Sequence, residues 1–206
     1  MRPLFESLVR RHQEAGISFS NVLAFHLDEY WPLERDDPAG FAASLEASFI
    51  RKVDFRPSSF TPFPALVGSE ECDKSCVAYC EAITVAGGVD LQLVGVGANG
   101  HLAFNEPGSN RESRARKVDL APETLARMPE GVNYKEALTL GVADILEAKE
   151  ILFIATGLDK SKAVRQALVD PPSADCPASF LQSHPSVTWL MDDVSASLLQ
   201  SGDFED

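Results

Sequence analysis

The stretch from Asp90 to Ser109, DLQLVGVGANGHLAFNEPGS, sets the strictest limits on what this chain can fold into. Leu91 to Val96 form a short apolar run of a length that suits a buried strand. The run breaks into Gly95-Val96-Gly97-Ala98-Asn99-Gly100, which can follow turns closed to bulkier residues. His101 and Glu106 come directly after, and Pro107-Gly108 closes the segment. Open α/β sheets carry their sites at the carboxyl ends of the strands. A parallel strand ending in this glycine turn therefore presents His101 and Glu106 where a site is expected.

Two readings of the stretch compete. Gly95, Gly97 and Gly100 fit G-x-G-x-x-G, the dinucleotide fingerprint, and Asp119 lies at a suitable distance downstream. That fingerprint needs a helix to start at its last glycine, so that the helix N-terminus takes a pyrophosphate. Here Asn105-Glu106-Pro107-Gly108-Ser109-Asn110 would stop such a helix almost at once. The other reading is a proton-transfer loop in which His101 and Glu106 are the titratable groups.

The chain has 206 residues, enough for one α/β domain with a sizeable core. Its net charge of −13 argues against non-specific nucleic-acid binding, which needs a basic face, but allows an anionic small molecule held by a few local cations. No apolar run reaches membrane-spanning length, and the amphipathic start MRPLFESLVRRHQEAG has no signal-peptide core. A cytoplasmic location is the expectation. Cys72, Cys76 and Cys80 recur every fourth residue, along one face of a helix. Structural zinc sites usually draw on ligand pairs from turns, so these cysteines read as a core face, with a metal or redox role as the alternative.

Taken in order, residues 4 to 15 predict a helix with a stripe of Leu4, Phe5, Leu8 and Val9, stopped at Gly16. Residues 21 to 27 predict a strand ending in Asp28-Glu29-Tyr30-Trp31-Pro32. Two carboxylates at the end of a buried strand are costly unless solvated, paired or used, so Asp28 either caps a turn or serves a site. A helix is expected from about Pro38 to Ile50. The Pro- and Ser-rich RPSSFTPFPALVGS reads as a crossover within one domain. The cysteine helix runs to about Val85, before Gly87-Gly88. The segment NRESRARKVDL holds Arg111, Arg114, Arg116 and Lys117, a solvated face or a substrate lid. Tyr134 to Ala148 reads as one or two helices interrupted at Gly141. Residues 150 to 157 predict a strand, and a helix opens after Gly157 and runs through Leu168. CPASFLQSH reads as a short helix, SVTWLMDD as a strand and SASLLQS as a last helix. His184, before Pro185, reads as a capping or packing histidine. This alternation implies a three-layer α/β fold of Rossmann-like type, with a mostly parallel sheet and helices on both faces. A single domain over 1–206 is expected.

The run GVGANGHLAFNEPGS resembles the signature of the glucosamine-6-phosphate deaminase/isomerase family, G-x-G-x-[DN]-G-H-[LI]-[AG]-F-N-E-P. LDEY at 27–30 is similar to the family's second motif, and Lys160 matches the lysine of a G-x-x-K that contacts the sugar phosphate. The resemblance extends from Phe5 to about Leu199. It implies a sugar-phosphate isomerase-type fold and conversion of D-glucosamine 6-phosphate and water to D-fructose 6-phosphate and ammonia, with no metal or organic cofactor. It further implies Asp28 as the enolisation base, His101 as the ring-opening acid–base group, and Glu106 and Asn99 as its partners. Gly97, Gly100 and Lys160 then belong to the substrate-binding set. A family arginine after the signature has no clear match, since the region from Glu123 to Asn133 is shortened; Arg116 or Arg127 is the expected substitute. The family's initial strand and its phosphate-binding Gly/Thr/Ser turn, G-x-[ST]-x-x-P, have no counterpart before Met1. An N-terminally shortened domain is therefore expected, with an open sheet edge that invites self-association. The alternatives are a binding-only or inactive domain of the same fold and a 6-phosphogluconolactonase, whose G-H-x-A-S-L-F loop Phe104-Asn105-Glu106-Pro107 does not follow.

Overall fold

The computed structural model describes residues 1–128 and 131–204; Pro129 and Glu130, within the region expected to be shortened, lie outside the described residues. The first helix, α1, spans Arg2–Ala15 and ends at Gly16, whose φ of 70° is the left-handed turn that glycine tolerates. The expected 21–27 strand is regular only as β1, Ala24–Phe25, which pairs in parallel with β3, Phe60–Thr61. Asp28 does not end a strand as expected; it begins a new one, β2, Asp28–Trp31. Helix α2 spans Phe41–Ser48.

Helix α3, Cys72–Val85, crosses from β3 to β4, Leu91–Gly95. Strand β4 pairs in parallel with β7, Glu150–Ala155, which pairs in parallel with β8, Val187–Met191. These parallel strands carry the expected α/β core. Phe153 and Val94 lie fully buried within it, packed with Cys76, Tyr79, Val164 and Ala167 from α3 and α6, Ser161–Leu168. Burying one such phenylalanine contributes about 2–3 kcal/mol. Cys72 and Cys76 are buried and Cys80 half-buried, all as free thiols, and burial pushes Cys76 up to about 12 and Cys80 to about 11. That is the chemistry of packing groups.

A separate antiparallel sheet has the order β2–β6–β5, with β5 at Arg116–Asp119 and β6 at Glu136–Thr139. This corrects two expectations. The basic run is in part an edge strand, and the first half of Tyr134–Ala148 is a strand instead of a helix. Ala137, Leu138 and Thr139 are fully buried between two partner strands, and pairing on both sides outweighs the helix propensity of Glu, Ala and Leu. Gly141 then starts α5, Val142–Leu146. A β-carbon at Gly141 would overlap the Ser113 carbonyl, so the junction demands glycine. The expected last helix, SASLLQS, is also absent: residues 193–198 form turns. Asp192 accepts hydrogen bonds from the backbone N–H of Ser195 and Gly157, and the Ser195 hydroxyl donates to the Ala155 carbonyl. These bonds bind the segment to the end of β7 and compete with a helix.

Candidate active site

The glycine turn after β4 builds the first half of the site. Gly97 N–H donates to the His101 carbonyl and Gly100 N–H to the Gly97 carbonyl, which folds the loop back on itself. A β-carbon on Gly97 would overlap the His101 imidazole, so this glycine makes room for the ring. Gly100 has a φ of 88°, and a β-carbon there would stand 2.6 Å from Cys176 Sγ. Asn105, fully buried, donates through Nδ2 to the Leu102 and Leu140 carbonyls and locks the loop onto the end of β6.

Within this loop His101 Nδ1 lies 3.1 Å from Glu106 Oε2, and Asn99 Nδ2 donates to the same oxygen at 2.9 Å. The Thr124 hydroxyl donates to the other oxygen, Oε1. Burial alone would push the Glu106 carboxyl up. The bonds from His101, Thr124 and Asn99 outweigh it and bring the pKa down to about 2. Glu106 is thus a fixed anion at neutral pH.

Asp28 lies in the opposite condition. Burial, then the adjacent Glu29 charge, pushes its pKa up to about 7. Among the described residues no side chain or backbone N–H bonds its carboxylate. Glu29 has a different task. It accepts hydrogen bonds from the backbone N–H groups of Tyr30, Phe41 and Ala42, and so caps the start of α2.

A cavity of about 550 Å³ opens on this loop, lined by Gly97, Asn99 and His101, by the aromatic rings of Tyr30, Phe41 and Phe104, and by Thr124, Arg127 and Lys160. The two cations share one anchor: Asp159 lies 3.1 Å from Arg127 Nη1 and 3.4 Å from Lys160 Nζ. The sequence-expected set is therefore only partly assembled. His101, Asn99, Gly97 and Lys160 line the cavity, and Glu106 stands behind His101. Gly100 shapes the turn without lining the cavity. Asp28 is not on its wall. It lies on the same side of β2 as Tyr30, two residues on, and its charge helps raise the Tyr30 phenol pKa. Arg116 is not brought to this cavity either. Its guanidinium donates to Asn105 Oδ1 and Ser109 Oγ and lines a second cavity of about 410 Å³. Arg127 is the arginine that reaches the His101 side. The sequence reading passed over Thr124, Phe41 and Phe104. Phe104 sits inside the signature and Phe41 follows Gly40, but nothing around Thr124 marks it in sequence.

Comparison with known proteins places the chain in a family. Residues 1–189 match the family described as glucosamine-6-phosphate isomerases/6-phosphogluconolactonase. The chain is 44% identical over 201 residues to a glucosamine-6-phosphate deaminase of Rhodopirellula baltica, covering 95% of this chain and 79% of that protein. It is 40% identical over 207 residues to one from Arthrobacter sp., covering 98% and 79%. A solved monomeric glucosamine-6-phosphate deaminase superposes with a TM-score of 0.90 at 35% identity, covering 96% of this chain and 83% of that one. A 6-phosphogluconolactonase from Trypanosoma cruzi, at 21% identity and a TM-score of 0.72, shares the fold. The chain belongs to the glucosamine-6-phosphate isomerase/6-phosphogluconolactonase family.

Proposed function

We propose that this chain is a glucosamine-6-phosphate deaminase, converting D-glucosamine 6-phosphate and water to D-fructose 6-phosphate and ammonia. The observation that carries the reading is the His101–Glu106–Asn99 cluster on the cavity wall, in a chain whose similar relatives bear that name.

The reaction needs three things from the protein. The sugar ring must open, which moves a proton between the C1 hydroxyl and the ring oxygen. Imidazole exchanges protons near neutral pH, and His101 takes this role. Glu106 stays ionised, so it orients His101 and stabilises its charged form without supplying the proton itself. The open-chain aldehyde must then isomerise. A base removes the C2 proton and returns it to C1, giving a ketose imine. The LDEY motif assigns this base to Asp28, whose carboxylate does not line the cavity in this structure; held up at about 7, it is a stronger base than a free carboxylate and keeps a useful conjugate acid. Water then adds to C2 of the imine, and the carbon–nitrogen bond breaks to release ammonia. Finally, the phosphate must be gripped, so that remote binding energy holds C1 and C2 in place. Lys160 and Arg127, half-neutralised by one shared carboxylate, are the cations for that task. The aromatic wall of Tyr30, Phe41 and Phe104 faces the sugar's carbon–hydrogen surface. No helix among the described residues is long and apolar enough to cross a membrane, and the proposal includes a cytoplasmic enzyme taking a small amino-sugar phosphate.

The test is ammonia and fructose 6-phosphate release from glucosamine 6-phosphate by the purified chain. Turnover in a 1:1 ratio of the two products upholds the reading. A folded protein that binds the sugar phosphate without turnover turns it into a binding domain. Hydrolysis of a 6-phosphogluconolactone instead assigns the other branch of the family.

A further inference from the structure

The Glu106 carboxylate has two oxygens, and the signature loop accounts for one of them. Oε2 takes both His101 and Asn99, at 3.1 and 2.9 Å. Oε1 faces away from the loop and takes the Thr124 hydroxyl, which comes from a distant part of the chain. A carboxylate bonded through one oxygen only is free to swing about its last torsion, a broad and soft one. Bonded at both ends, it holds one orientation.

Thr124 is itself held. It sits in the short helix α4, Pro122–Leu125, whose Leu125 packs with Met128 against the Tyr30–Phe104 cluster. Three residues on, Arg127 is paired with Asp159 beside Lys160. The segment therefore spans the cavity from the acid–base pair to the cations. Among the described residues the Thr124 hydroxyl makes one hydrogen bond, to Glu106.

We infer that Thr124 is a positioning residue of the reaction: its hydroxyl fixes the Glu106 carboxylate in the orientation that serves His101. The inference rests on the deaminase reading for its catalytic consequence. The titratable groups around Glu106 are His101, at hydrogen-bond distance, and Arg116 and Asp119, which line the cavity of about 410 Å³ with it; Glu123, Arg127 and Lys160 line the cavity on the His101 side. A hydroxyl donor stabilises the ionised form of a carboxylate, so its loss moves Glu106 toward the ordinary range.

The experiment compares Thr124→Val, which keeps shape and removes the donor, with Thr124→Ser, which keeps the donor. Two readouts are taken on proteins shown to be folded by circular dichroism: the titration midpoint of the Glu106 carboxyl carbon by ¹³C NMR, and kcat and KM for ammonia release. Thr124→Val should raise the midpoint by about half a unit or more and lower kcat about five- to thirtyfold with KM little changed. Thr124→Ser should restore most of both. An unchanged midpoint in Thr124→Val overturns the inference. So does a raised midpoint with an unchanged kcat, which would make the bond structural only. If the unmodified chain releases no ammonia, the deaminase reading falls, and the Glu106 titration alone still decides whether Thr124 holds that carboxylate.

Discussion

Two carboxylates of this molecule are pushed in opposite directions from the ordinary carboxylate range. Glu106 is bonded by His101, Asn99 and Thr124 and lies at about 2; Asp28 has no bonding partner among the described residues, a like charge next door, and lies at about 7. The difference comes from what reaches each group. Two donors from the Glu106 loop and a third from α4 converge on Glu106, so the charged form is solvated by the protein. The start of β2 leaves Asp28 with burial and repulsion, which favour the protonated form. An acid–base enzyme needs this separation, because one group must keep its charge while the other exchanges protons.

The sharpest way to break the comparison is Asp28→Asn, which keeps the shape and removes the base. It should lower kcat about 10³-fold or more in an ammonia-release assay, with the substrate still bound. In the unmodified chain, kcat/KM should rise as pH increases through about 7, where Asp28 loses its proton, and a profile flat from 5 to 8 would remove Asp28 from the chemistry. Next in size is Gly97→Ala. Its β-carbon overlaps the His101 ring, so the ring must leave its place; a loss of about tenfold to a hundredfold in kcat is expected, with circular dichroism unchanged. Lys160→Ala and Arg127→Ala should each raise KM about tenfold with a smaller change in kcat, as expected for groups that bind the phosphate equally in ground and transition states.

The smallest effect is on stability, and its sign is informative. Folded Asp28 holds its proton up to about 7, whereas an unfolded aspartate holds it only to about 3.9. Between those values the folded state binds more protons, so this group lowers stability as pH rises from about 4 to 7. Asp28→Asn should therefore raise the free energy of unfolding above pH 7, by on the order of 1–3 kcal/mol in denaturant melts, and give no gain at pH 4. Glu106 acts in reverse, since its depressed pKa adds stability that is lost as pH falls from about 4 toward 2.

Most of the loop's geometry was legible because the signature is local. Gly97, Asn99, His101 and Glu106 lie within ten residues, and their hydrogen bonds close a turn that the sequence spells out. The parallel strands β4, β7 and β8 were legible too, as apolar runs ended by glycine or aspartate. What was lost depended on distant pairing. Nothing in YKEALTLG reports that two strands flank it, so residues 136–139 read as helix until β2 and β5 are in place. The segment after β8 read as helix because its leucines suit one, and the Asp192–Ser195 bonds that prevent it reach across to β7. Thr124 and Arg127 were invisible or only weakly visible for the same reason: each matters for what lies 18 or more residues away.

Glu29 carries one more consequence. As the cap of α2 it sets where Phe41 stands in the cavity wall, and as a charge beside Asp28 it helps keep that carboxyl protonated up to about 7. A single side chain thus governs both the shape of the cavity and the proton affinity of its neighbour. A lineage that replaced Glu29 would alter the cavity wall and the Asp28 proton affinity in one step, so the two properties cannot drift apart at this position. Adjacent acids in LDEY are less a redundant pair than a yoke, and selection on either trait would be felt by the other.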